Sequence, residues 1–110
     1  MSPSFEDILV KLRKFRDERD WAQFHNAKDL ALALSIETAE LNEHFLWKQP
    51  ADANADRVQE ELADVLLYAF QLADHYGWDI PQLMLQKMAR NAEKYPVDKA
   101  KGTATKHDEL

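Results

Sequence analysis

Residues 27–45, AKDLALALSIETAELNEHF, have the spacing of an α-helix but no single apolar face. Leu30, Leu34, Leu41 and Phe45 line one side, whereas Leu32, Ile36 and Leu46 fall elsewhere on the circumference. A helix apolar most of the way round has to be covered on more than one side. A chain of 110 residues is one small domain with a limited core, although 45% hydrophobic content suffices to form one. The expectation is an all-α fold, a four-helix bundle-like protomer that assembles into a helical homo-oligomer, a dimer or a dimer of dimers. Gln49 and Pro50 end this helix.

The other helices follow from their caps and stripes. The first spans residues 5–19, with Ser4 as N-cap, Glu6 and Asp7 in the first turn, and Phe5, Ile8, Leu9, Leu12 and Phe15 as its apolar stripe. Its other side carries Lys11, Arg13, Lys14, Arg16 and Arg19, read as a solvated basic face. The third runs over residues 56–76 on Val58, Leu62, Val65, Leu66, Ala69, Leu72 and Ala73. Gly77 stops it, and Asp79 and Pro81 open a fourth that reaches Lys94, with Leu83, Met84 and Met88 in the core. The division expected is a helical domain over residues 1–96 and an extended polar tail over 97–110.

Two of these helices carry acidic pairs, Glu37-x-x-Glu40 and Glu61-x-x-Asp64. A three-residue step turns a helix by about 300°, so each pair projects from nearly one face. A single such pair is common on solvated helices and carries little weight. Here, however, the helical wheel sets Glu37, Glu40 and His44 beside the Leu34/Leu41 stripe. It sets Glu61, Asp64 and Tyr68 at the edge of the third helix's stripe, with Glu60 well outside. Carboxylates gathered there without a counter-charge are strongly destabilising, and a divalent cation is the natural remedy. An all-oxygen ligand set favours Mg²⁺, or Mn²⁺, over zinc. Helical di-iron sites instead use Glu-x-x-His on two helices. Here His44 stands four residues after Glu40 and the second pair has no histidine.

Composition closes off several alternatives. With 20 Asp+Glu against 14 Lys+Arg, a formal charge of −6 argues against coating a nucleic acid polymer. The absence of cysteine removes disulfides, thiolate catalysis and cysteine-based zinc sites. No apolar run approaches the roughly 20 residues of a membrane span, and the N-terminus has no signal-peptide core, so a cytoplasmic protein without membrane contact is expected. The terminal KHDEL has the form of a retention tag but is read as the end of an ordinary tail.

Two further stretches admit two readings each. Residues 20–28 hold Trp21, Phe24, His25 and Asn26 close together, either to stack on a flat ring and bond its edge or to plug the end of a bundle. Lys87, Asn91 and Lys94 recur at helical spacing, as an exposed basic stripe or as a face for phosphates.

The order of ERDWAQFH (18–25), SIETAELNEHFLWK (35–48), QEELADVLLY (59–68) and K-M-x-x-N-x-x-K-Y-P (87–96) resembles the MazG-like, all-α nucleoside triphosphate pyrophosphohydrolases, and most closely their dCTP pyrophosphatase branch. The likeness runs from about residue 5 to the tail. It implies Mg²⁺-dependent hydrolysis of a (deoxy)nucleoside triphosphate, dCTP or a modified pyrimidine dNTP, to the monophosphate and pyrophosphate in nucleotide-pool house-cleaning. By position, Glu37, Glu40, Glu61 and Asp64 would hold the metal. His25 and Trp47, with Phe24 and Tyr68 nearby, would enclose the base over Trp21. Lys87, Asn91, Lys94 and Tyr95 would meet the triphosphate or sugar. It also implies an oligomer built on a helical dimer, in which a site can borrow residues from its neighbour. No residue offers a covalent nucleophile with an adjacent base, so direct attack by water is the simpler chemistry. Glu40 and Glu61 are the expected catalytic carboxylates, Glu40 orienting the water or taking its proton. The competing reading from another class is a catalytically silent helical dimer that binds a nucleotide or protein partner as a regulator.

Overall fold

A computed structural model describes residues 2–110 of the chain. All regular structure among them is helical: α1 (Phe5–Glu18), α2 (Ala27–Glu43), α3 (Ala55–Tyr76), α4 (Ile80–Lys94) and the single turn α5 (Val97–Ala100). Three short 3₁₀ turns, Ala22–Phe24, Pro50–Asp52 and His107–Glu109, punctuate the connections. None of these helices is long and apolar enough to cross a membrane. The chain falls into two compact units, one ending at Trp78 and the other comprising Asp79–Leu110.

Local chemistry sets the helix ends. Ser4 and Asp7 form a reciprocal capping box on α1, the Asp7 amide donating to Ser4 Oγ at 3.1 Å and the Ser4 amide to Asp7 Oδ2 at 2.9 Å. Asn26 caps α2, and Asn54 accepts from the Asp56 and Arg57 amides to cap α3. Gly77 closes α3 in the left-handed region at φ 72°, where a side chain is strained. In the second unit Asp79 caps α4 ahead of Pro81. Helix α2 stops at Glu43 rather than Phe45, because the chain tightens there into successive turns.

In the first unit α3 packs against both α2 and α1. The α2–α3 pairing is antiparallel. Leu30 shares a cavity wall with Gln71 and Asp74, Glu37 meets Glu61 and Asp64, and His44 reaches back to Glu61. Leu9, Leu30 and Ala73 are buried, whereas Leu32 and Ile36 on α2 remain 57% and 51% exposed and Leu62 and Leu66 on α3 are open as well. Each lies where the helical wheel of α2 or the breadth of the α3 stripe leaves it uncovered.

The second unit departs from expectation twice. Leu83, Met84 and Met88, expected in the core, are exposed: within Asp79–Leu110 α4 is followed only by the short turns Val97–Ala100 and His107–Glu109, too little structure to bury a full helical stripe. The stretch expected as an extended tail instead carries α5 and the His107–Glu109 turn, with Tyr95 and His107 edge to face at 5.7 Å.

The basic side of α1 is only partly the solvated face its spacing suggests. Arg13 clasps Asp74 of α3, its Nη2 donating to Oδ1 at 2.6 Å and its Nε donating at 3.1 and 3.2 Å, while Arg16 Nη1 lies 3.8 Å from Oδ2. The Asp74 carboxylate pushes the Arg13 pKa further up, first by hydrogen bonding and then by charge. Such a forked pair is stronger than a neutral hydrogen bond and fixes α1 on α3 in one register. Asp74→Asn leaves Arg13 with only Glu6, at 3.4 Å, and Arg16 with only Asp17, at 2.8 Å, so the bond between α1 and α3 is weakened and stability should fall. A thermal melt checks this, with a fall of roughly 5 °C expected. An unchanged midpoint would show that the clasp contributes nothing.

Candidate metal and nucleotide site

Antiparallel packing brings the acidic faces of α2 and α3 together. Glu37, Glu61 and Asp64 each place one carboxylate oxygen so that all three lie within 4.8 Å of one another. Glu37 and Glu61 are half-buried, Asp64 is more exposed, and Glu60 faces solvent, which is the inward choice of Glu61 over Glu60 that the helical wheel makes. Burial pushes the Glu37 carboxyl up to about 7, reinforced by the carboxylates of Glu40, Asp64 and Glu61. Glu40 is therefore close to Glu37, yet it lies outside the cluster of three.

Two oxygens mark this cluster as unfinished. Glu37 Oε2 and Glu61 Oε2 are both buried and accept no hydrogen bond. Buried carboxylate oxygens are ordinarily satisfied, and here the two residues face each other and Asp64 within the same cluster. A hard divalent cation would satisfy both atoms and reverse the mutual repulsion, so the donor set fits one.

Beside the cluster, α1, α3 and the two residues that flank the Ala22–Phe24 turn border a cavity of about 440 Å³ lined by Phe15, Trp21, His25, Asp64, Tyr68 and neighbouring side chains. Its wall is built from the end of α1. Asp20 takes a left-handed φ of 54°, and the Trp21 amide then donates to Arg16 O at 3.0 Å, turning the chain back on itself. Trp21 meets Phe15 edge-on with ring centroids 5.8 Å apart. The Arg19 guanidinium covers the Phe15 ring at 3.6 Å, tethered by a bond to Phe15 O. His25 is half-buried with its Nδ1 unpartnered, and burial, then the charge of Arg16, holds its pKa below the ordinary imidazole value. A neutral imidazole can present an acceptor or a donor at that atom.

The residues singled out from sequence thus divide. Trp21, His25 and Tyr68 share the cavity, and Asp64 belongs both to its wall and to the carboxylate cluster. Phe24, the last residue of the Ala22–Phe24 turn, is 62% exposed and does not line the cavity. Trp47 is 94% exposed, on a backbone with φ 62°. Lys87, Asn91 and Lys94 lie along one exposed face of α4 in the second unit, and the Tyr95 amide closes that helix on Asn91 O at 2.9 Å. Lys11 and Arg16 also line the cavity, although their spacing had placed them on a solvated face. An aromatic loop following a basic helix was the available signal for that role.

Fold and site together define an all-helical protein with a carboxylate cluster opening onto an aromatic-walled cavity. The chain belongs to the MazG-like family, whose model matches residues 32–110. It is 40% identical to the dCTP pyrophosphatase 1 of Mus musculus and 39% identical to that of Homo sapiens, in each case over 98% of this chain and 68% of the relative. The crystal structure of a pyrophosphatase from Archaeoglobus fulgidus matches with a TM-score of 0.80 at 38% identity, covering 87% of this chain and 95% of the other.

Proposed function

We propose that this chain, a nucleotide pyrophosphohydrolase by its relatives, hydrolyses dCTP or a modified pyrimidine deoxynucleoside triphosphate to the monophosphate and pyrophosphate, with Mg²⁺ as the cation and Mn²⁺ as a substitute. The observation that carries this reading is the double membership of Asp64. One side chain joins the carboxylate cluster to the cavity, so a base held in the cavity has its phosphates led toward the carboxylates. A cavity of about 440 Å³ lies within the range of small-molecule sites.

In this reading Glu37, Glu61 and Asp64 hold the cation, with Glu40 alongside. When bound, the cation supplies Lewis acidity, offsetting phosphate charge and acidifying water. Trp21 and Tyr68 flank the base, with Phe24 beside them, and the unpartnered Nδ1 of His25 bonds its edge. A water oxygen attacks the α-phosphorus, the bond from that phosphorus to the bridging oxygen breaks, and pyrophosphate departs. Glu40 orients the water and takes its proton. Lys87, Asn91, Lys94 and Tyr95 are assigned by the family resemblance to the triphosphate or sugar. The open apolar positions Leu32, Ile36, Leu62 and Leu66 and the exposed Trp47 support a homo-oligomer in which a neighbouring copy completes the site. The role is house-cleaning of the cytoplasmic nucleotide pool.

The test is pyrophosphate release from dCTP and from a panel of canonical and modified triphosphates, with Mg²⁺ and with a chelator. Release from dCTP that requires Mg²⁺ is expected. No release across the panel would overturn the enzymatic assignment, and sedimentation as a monomer would remove the oligomer.

A further inference from the structure

His44 follows the last residue of α2, and its backbone is held there by turn bonds, its own amide donating to Leu41 O at 3.3 Å and the next to Asn42 O at 3.0 Å. Its Nε2 lies 3.7 Å from Glu61 Oε1, with the two side chains 22% and 23% exposed. The other oxygen of that carboxylate, Oε2, is buried and has no partner. The two oxygens of Glu61 therefore sit in different surroundings, one facing an imidazole and the other left over for something the protein does not supply.

That asymmetry matters because the terminal torsion of glutamate is soft and nearly two-fold, so an untethered carboxylate turns freely about its last bond. A ligand oxygen has to be held in place before the cation arrives, or binding bears the cost of ordering it. His44 is not itself one of the clustered ligands. The set within mutual reach comprises Glu37, Glu61 and Asp64, and imidazole nitrogens are ligand atoms by type. It thus acts on one member of the cluster from outside.

We propose that His44 is a positioning residue for the cation site, fixing the rotation of the Glu61 carboxylate through Oε1 so that Oε2 is presented to a divalent cation. The inference rests on the carboxylate cluster holding such a cation. At 3.7 Å the contact is longer than a hydrogen bond, so the role requires the Nε2 N–H to close on Oε1, a donor that glutamine also offers and leucine does not.

Mg²⁺ binding to the nucleotide-free protein, measured by isothermal titration calorimetry on the parent, His44→Leu and His44→Gln, tests this, with melting of each in chelator as a check on folding. Outer-shell partners of metal ligands typically contribute about tenfold to a hundredfold in affinity. His44→Leu should accordingly weaken Mg²⁺ binding by about tenfold, and His44→Gln should remain within about threefold of the parent. Parent-like binding by His44→Leu, or equal losses in both variants, overturns the positioning role while leaving the cation site intact. A parent that binds no Mg²⁺ overturns both.

Discussion

Glu61→Gln should lower kcat/KM for dCTP by at least about a hundredfold, since a ligand matters no less than the partners that orient ligands. The substitution keeps the shape of the side chain but replaces one oxygen by an amide nitrogen and removes a charge. What makes it diagnostic is the opposite sign expected for stability. In the metal-free protein Glu61 is a like charge facing Glu37 and Asp64, and its Oε2 is buried without a partner. Neutralising it relieves that repulsion, so in chelator the variant should melt at or above the parent's temperature. A glutamate serving only the fold would lose stability along with activity. Steady-state kinetics paired with melts in chelator separates the two outcomes. Retained activity would remove Glu61 from the chemistry.

In chelator, the parent should lose stability relative to Glu37→Gln as pH rises through the interval in which Glu37 titrates. The sign follows from proton counts. The unfolded Glu37 ionises at its ordinary value of 4.5, while the folded group holds its proton to about 7. Between those values the folded state binds more protons, so stability falls with rising pH. His25 contributes the opposite slope. Its folded pKa is lowered from 6.5, so below that value the unfolded state takes up more protons and stability declines as pH drops. Asp7 and Asp17 have lowered pKa values and act mainly below the same interval. The difference between parent and Glu37→Gln melting curves isolates the Glu37 component, expected to amount to roughly 5 °C between pH 5 and pH 8. Saturating Mg²⁺ should reverse it at the alkaline end, adding about 2.7 kcal/mol at a hundred times the dissociation constant. A difference curve that stays flat would show that Glu37 ionises normally.

The parts legible in the sequence were those governed by neighbours along the chain. Ser4, Gly77 and Asp79 announce helix ends because a cap is a bond across three or four residues. The choice between Glu60 and Glu61 follows from helical phase alone. The clasp of Arg13 and Arg16 on Asp74 was not legible, since its members are about sixty positions apart and any carboxylate on α3 might have served. Phase likewise placed His44 on the acidic face of α2 but could not name its partner, which depends on how far α2 slides along α3. The same register separates Glu37 from Glu40, two residues of one face of which only the first meets both acids of the opposite helix.

Trp47 holds one more consequence. Its φ of 62° is a conformation that residues other than glycine seldom adopt, and the Lys48 amide donates across it to Phe45 O at 3.1 Å. An indole on an ordinary flexible loop would sweep a wide arc and lose that freedom on meeting a partner. This one stands on a backbone already committed to a single turn, so much of the ordering cost of contact falls on folding rather than on association. A neighbouring subunit or a nucleobase arriving at Trp47 would therefore meet a pre-aimed surface, and relaxing the turn would weaken that encounter even with the ring left intact.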